Sequence, residues 1–287
     1  MAAAAAARTF LGYGVGLRRP HFDDIFDAAD SGVDCLEIVC ENFIAFGGKS
    51  RAALERAAHA FPLVLHGTAL SIGGAAPIDD AYLGLVRETI RRYRPVFYSD
   101  HICLSSGFGV AYHDLIPLPF TEEAVAHVAA RAKQVQAAVG DTPFLLENPS
   151  YYITYRDSEM SELEFVRAVL EAADCGMLLD VNNVYVNSQN HGYDPRAFIA
   201  GLPLDRVQQI HMAGHTRRGD VIIDDHAAAI CDEVYALYAY TLELTGPVTT
   251  ILEWDNDIPP LEVLLAENRL VRAVGEGTVG ELPAWRG

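Results

Sequence analysis

The chain has 287 residues, 51% hydrophobic and 21% charged, which suits a globular protein with a sizeable core and excludes general disorder. Its 39 acidic and 21 basic residues leave a formal net charge of −18. Such a surface repels a phosphate backbone, so nucleic acid is not an expected partner. No run of about 18 apolar residues lacks charges or breakers, so no membrane span is expected. The five cysteines are odd in number, irregular in spacing and without a C-x-x-C pair, which points to a reducing cytoplasm and not to a disulfide framework.

Residues 1–11 open with Met1, six alanines and Arg8, without a basic stretch ahead of an apolar one, and are expected to be a frayed tail. From residue 12 a rhythm begins. Short β-rich runs recur at about 12–17, 33–39, 62–66, 96–101, 143–147, 176–180, 206–211 and 248–253. Helical stretches separate them, for example 79–93, 121–139, 161–173 and 227–244. Thr121 with Glu122 and Glu123 has the pattern of a helix start, and Ser161 with Glu164 has the capping-box spacing. Gly140 and Gly176 stand where helix ends are expected. Strands alternating with helices imply parallel pairing. Continuously apolar runs such as Phe144-Leu-Leu146 and Met177-Leu-Leu179 imply strands covered on both faces. Eight such units predict an α/β fold, a single (β/α)8 TIM barrel over 12–273, with a second tail at 274–287. A doubly wound open sheet is the alternative, but Gly12-Tyr-Gly-Val-Gly16 runs into Arg18-Arg19-Pro20 and not into a helix.

Six of the eight runs end on a residue able to bind a metal: His66, His101, Glu147, Asp180, His211 and Glu253. In a barrel these ends share one face. A single histidine after an apolar run is usually a hydrogen-bonded core residue, but six such endings would need six separate partners, and ionised acids are almost never buried unpaired. Shared metal ions satisfy them together. Asn183, three residues beyond Asp180, and the Asp224-Asp-His226 segment, with Asp224 and His226 alternating, extend the set. About nine ligands exceed one ion's coordination, so two or three ions are expected, with Glu147 and Asp180 as bridging carboxylates. His215, four residues beyond His211, is expected either to support a metal ligand from behind or to contact substrate. Glu147, Asp180 and His215 are thus the candidates for catalytic roles. Mixed imidazole and carboxylate sets suit zinc, manganese and iron alike.

These motifs resemble the multinuclear non-heme iron-dependent oxidases of the MbnB/TglH type. The matching pieces include Gly14-Val-Gly-Leu-Arg18, Glu41-Asn-Phe43, Leu65-His-Gly67, Ser99-Asp-His101, Leu145-Leu-Glu-Asn-Pro149, Leu179-Asp-Val-Asn-Asn-Val-Tyr185, Gln209-Ile-His-Met-Ala-Gly-His215, Asp224-Asp-His226 and Glu253-Trp-Asp255. Their order over 12–273 is more specific than any one of them. The resemblance implies two to three iron ions, mixed-valent Fe(II)/Fe(III), with dioxygen as co-substrate. It implies His66, His101, Glu147, Asp180, Asn183, His211, Asp224, His226 and Glu253 as ligands. It also implies a cysteine-containing precursor peptide as substrate and a small partner protein that presents it. The constellation is similar, more distantly, to the trinuclear zinc site of endonuclease IV, where a histidine stands in place of Asn183. That departure and the acidic charge argue against phosphodiester hydrolysis. Two departures from the oxidase pattern fall near the site: His66-Gly-Thr-Ala-Leu-Ser71 where relatives read His-Gly-Val-Gly-Leu-Ser, and Leu104 after Cys103 where an aromatic residue often follows. The rival readings are a divalent-metal sugar isomerase or epimerase, a metal-dependent hydrolase, and a non-catalytic metal-storage or peptide-binding protein.

Overall fold

The computed structural model describes residues 9–28, 31–44 and 47–277. The expected tails thus lie largely outside the described residues, and of the first only 9–11 can be placed: Thr249 Oγ1 donates to the Thr9 carbonyl and accepts from the Leu11 N–H. In chain order the elements are β1 (Tyr13–Gly16), α1 (Asp24–Asp27), β2 (Leu36–Val39), α2 (Gly48–Ala60), β3 (Leu63–His66), α3 (Asp80–Tyr93) and β4 (Tyr98–His101). Then come β5 (Leu104–Gly107), β6 (Val110–Ile116), α4 (Glu122–Val139), β7 (Phe144–Glu147), α5 (Glu162–Ala173), β8 (Gly176–Asp180), α6 (Val181–His191) and α7 (Pro195–Gly201). The last are β9 (Val207–Met212), β10 (Thr216–Arg218), β11 (Val221–Ile223), α8 (Asp232–Thr245), β12 (Thr249–Leu252) and α9 (Leu261–Gly275).

Eight strands close a barrel in the order β1-β12-β9-β8-β7-β4-β3-β2, the expected (β/α)8 architecture. The eight expected runs coincide with these strands to within a few residues. The chain divides into two compact units, a continuous central one, Glu37–Leu178, and a split one built from Met1–Leu36 and Leu179–Gly287.

In the central unit β3, β4 and β7 are buried along their whole length, as strands covered on both faces must be. Val128, Ala132 and Val135 of α4 and Phe165, Val169 and Leu170 of α5 are buried with them. The helix starts follow from the sequence. Thr121 accepts from the Ala124 N–H, and Ser161 and Glu164 form the full capping box. Gly140 ends α4 at φ +71°. Gly176 does not end α5. Asp174 does so at φ +51°, and Gly176 opens β8. Asp is one of the few side chains that tolerate this left-handed conformation.

In the split unit Val15, Ile210, Met212, Ile251 and Leu252 are buried on the strands, with Val184, Val234, Tyr238, Leu264 and Val271 on the helices. The helix expected over 227–244 starts later, at Asp232. His226 takes a left-handed φ of +46°, and the Ile230 N–H is committed to the Glu267 carboxylate, so the intervening backbone cannot enter a helix.

Two antiparallel hairpins were not foreseen, β5–β6 in the central unit and β10–β11 in the split one. Their turns are two residues, Phe108-Gly109 and Gly219-Asp220. Phe108 and Gly109 both have positive φ, the pattern of a tight hairpin turn. Among the described residues no helix is long and apolar enough to cross a membrane.

Candidate metal centre

In the central unit His66, His101 and Glu147 end β3, β4 and β7. Strand register brings them together. His101 pairs with Glu147 across β4 and β7, and His66 pairs with Ser99 across β3 and β4. His101 Nε2 lies 3.1 Å and His66 Nε2 3.6 Å from the same Glu147 oxygen, Oε2. The two imidazoles meet edge to face with centroids 4.8 Å apart. All three residues are at most 6% exposed.

Ser99 settles how His66 is presented. Its Oγ lies 2.8 Å from His66 Nδ1 and 3.4 Å from the Leu65 carbonyl, so it can accept from His66 Nδ1–H while donating to that carbonyl. In that tautomer His66 Nε2 turns a lone pair towards a carboxylate oxygen. Two electron-rich atoms facing each other in a buried site call for a cation between them, and metal-binding histidines characteristically donate their other nitrogen in this way. One ligand atom from each of the three lies within 4.8 Å of the others, so this set fits a metal ion.

Behind it lies a layer to which the sequence reading gave no role. Asp100 Oδ1 accepts from the His101 N–H at 2.8 Å and Oδ2 from the Leu70 N–H at 3.2 Å. Burial, and then the Glu41 charge, push the Asp100 carboxyl well above the usual carboxylate range. Glu41 Oε1 accepts from Thr68 and Ala69 N–H, each at 3.0 Å, and from the Tyr82 hydroxyl at 2.5 Å. Together they tie down the loop after His66, the segment where the sequence departs from the oxidase pattern. Gly67 is required there, because a Cβ would lie 2.7 Å from Asp100 Oδ2. The signals of this layer in the sequence were the motif pieces that contain Glu41 and Asp100, the second an acid inside a strand.

The split unit holds the remaining candidates. Asp180 ends β8 and caps α6, its Oδ1 accepting from the Asn183 N–H at 2.7 Å. Asn183 is thus a buried residue of the first turn of α6. Glu253 follows β12 directly and continues its ladder, its N–H donating to the Met212 carbonyl. His211 Nδ1 and His226 Nδ1 lie 3.2 and 3.3 Å from Glu253 Oε2, and His226 Nε2 lies 2.8 Å from Asp224 Oδ1. Asp180, His226 and Glu253 each offer a ligand atom within 4.8 Å of the others, so this set too fits a metal ion.

Arg18 and Asp255, to which the sequence reading gave no role, complete this cluster. The Arg18 guanidinium is 6% exposed, lies 3.5 Å from Glu253 Oε1 and grips Asp255 Oδ1 through Nε at 2.8 Å and more closely through Nη2. Burial would raise the Glu253 carboxyl, but the His211 and His226 imidazoles hold it well below the usual range. Burial would likewise raise Asp255, but Arg18 pulls it down to about 2. Burial disfavours charge on His226, yet Asp224 foremost among its carboxylate partners raises it well above the usual histidine range. His215, half-buried after β9, stacks on Tyr185 with centroids 5.3 Å apart. Its Nδ1 lies 2.8 Å from Asn182 Oδ1, and Asn182 Nδ2 donates to Asp224 Oδ1 at 2.8 Å.

Residues 12–276 match the family described as RiPP precursor modification enzyme MbnB/TglH/ChrH. The chain belongs to that family. Among its curated relatives, a UPF0276 protein of Anaeromyxobacter sp. (strain Fw109-5) is 45% identical over 278 residues, covering 97% of this chain and 98% of the relative. A UPF0276 protein of Caulobacter vibrioides (strain NA1000 / CB15N) is 40% identical over 264 residues, covering 92% and 94%. Among solved structures, endonuclease IV from Thermus thermophilus aligns with a TM-score of 0.61 at 17% identity, covering 94% of this chain and all of that one. D-Psicose 3-epimerase from Clostridium cellulolyticum aligns at 0.57 and 10%, covering 93% and 95%. At such identities the structures establish the barrel fold alone. The MbnB/TglH/ChrH family match, in contrast, spans both ligand clusters.

Proposed function

We propose that the protein is a multinuclear non-heme iron, dioxygen-dependent oxidase that modifies cysteine residues of a ribosomally synthesised peptide. The observation that carries this reading is the family match over residues 12–276. The two buried ligand clusters support it. His66, His101 and Glu147 would hold one ion, and Asp180, Asn183, His211, Asp224, His226 and Glu253 would hold the remainder of two to three irons in mixed Fe(II)/Fe(III) states. Iron, when bound, acidifies a thiol placed on it and gives dioxygen a route to electrons.

This chain's own residues set the stage for that chemistry. Ser99 fixes the His66 ring, and Asp100 and Glu41 hold the backbone behind it. Arg18 balances Glu253 and Asp255. His215 stands beside Tyr185, where a substrate group could meet it. Presentation of the peptide by a small partner protein and action in the cytoplasm belong to the same proposal.

The test is elemental analysis of protein purified without air, with Mössbauer spectroscopy of an iron-enriched sample and dioxygen uptake with a cysteine peptide. Two to three irons per chain, partly ferric, with dioxygen uptake, is the expected result. Stoichiometric zinc that iron-rich growth does not displace would overturn it and favour an isomerase or hydrolase. Bound iron without dioxygen uptake would favour storage.

A further inference from the structure

The split unit contains a short relay whose direction can be read from the hydrogen-bonding capacity of its members. Asp224 is a carboxylate and only accepts, so the Asn182 atom facing it at 2.8 Å is the amide nitrogen. The other end of the same amide is therefore its oxygen, which also only accepts, and it faces His215 Nδ1 at 2.8 Å. Nδ1 must carry the hydrogen. In a neutral imidazole that leaves Nε2 as a lone pair.

We infer that Asn182 is a positioning residue that locks His215 in its Nδ1–H tautomer, so that His215 meets the substrate through Nε2 as an acceptor. Asn182 is fully buried on the first turn of α6 and cannot turn its amide without losing both partners. The Tyr185 ring, 28° from parallel, sets the plane of the imidazole. Burial keeps His215 below the usual histidine range and so favours the neutral ring, with Asp224, Asp225 and Glu233 working against that and Arg217 with it. The site therefore selects a substrate group that offers an N–H or S–H, such as a peptide amide or a thiol. The tautomer stands on the geometry alone; only the nature of the substrate rests on the oxidase reading.

Nitrogen-15 NMR of the full-length protein, labelled on histidine and loaded with diamagnetic zinc, reads the tautomer from the two ring-nitrogen shifts. His215 is assigned by the signals lost in His215→Gln. The expected wild-type result is a protonated Nδ1 and a bare Nε2. Asn182→Leu removes the acceptor and should move His215 towards the Nε2–H form that imidazole favours in water. A wild-type Nε2–H tautomer, or an Asn182→Leu spectrum unchanged at His215, overturns the proposal. Should Asn182→Leu not fold, the wild-type spectrum alone decides. Expected tautomers in a protein that turns over no cysteine peptide would sink the oxidase reading and leave the role of Asn182 standing.

Discussion

The two ligand clusters solve the same electrostatic problem differently. The central one is made of strand ends in register, and the hydrogen bonds that shape it come from a serine and from backbone geometry. The split one draws on loops and helix caps as well as strand ends, and it brings its own buried cation, Arg18, to Glu253 and Asp255. The first turns electron-rich atoms towards one another and calls for an external cation. The second is partly neutralised from within by Arg18. Metal affinity and metal-free stability should therefore separate between the clusters.

The largest expected effect comes from Glu147→Gln, which removes the oxygen shared by His66 and His101. Turnover should fall by more than the 10–100-fold typical of changes around a metal ligand. Metal analysis should show the ion held by His66 and His101 lost, and a loss that reaches the remaining metal would mark Glu147 as the bridging carboxylate expected from the sequence. Glu253→Gln is the mirror experiment and should lower metal content and turnover while sparing the His66 cluster.

Arg18→Met comes next. It removes the guanidinium from Asp255 and Glu253, which keep their imidazole partners and, at Asp255, solvent, so the loss should fall below the about 3–5 kcal/mol of a fully buried broken pair. Urea denaturation of chelator-treated protein should show it, and metal at the His66 cluster should be unchanged. Ser99→Ala is smaller. It frees the His66 ring and should weaken metal binding at the central cluster about 10-fold or more, with the split cluster unaffected.

The smallest effect is on acid stability. The Asp255 carboxyl is held at about 2, below the ordinary aspartate value near 3.9. Its contribution is complete above that ordinary value and is lost as pH falls from about 4 through about 2. The Asp255 side chain is 40% exposed, so solvent screens this contribution. His226 has the opposite sign. Raised by its carboxylates, it stabilises the metal-free protein fully below the ordinary histidine value and progressively less as pH rises through its own. The Tm of metal-free protein should therefore fall on both flanks, and Asp255→Asn should reduce the acid one and, by removing one of the carboxylates that raise His226, weaken the other less. An acid flank that survived in Asp255→Asn would assign it elsewhere.

The barrel was legible because its strands are largely buried and so read as mostly apolar runs, six of the eight ending on a residue able to bind a metal. That ending made His66, His101, Glu147, Asp180, His211 and Glu253 visible without any coordinates. The surrounding network was not. Glu41 and Asp100 serve backbone N–H groups of the loop after His66, and nothing in a linear sequence marks which loop a carboxylate serves. Arg18 reaches Asp255 across 237 positions of the chain, a pairing that residue spacing cannot reveal. The late start of α8 was hidden for a related reason: its signals are a left-handed histidine and an amide claimed by Glu267, both set by tertiary structure.

The continuity of the central unit has a consequence for synthesis. A ribosome reading this chain completes the His66, His101 and Glu147 set while the split unit still lacks most of its sequence. The split set waits for Glu253 and Asp255, and Arg18, made near the start, waits longest for its partners. The order of translation thus gives the two clusters different ages in every molecule.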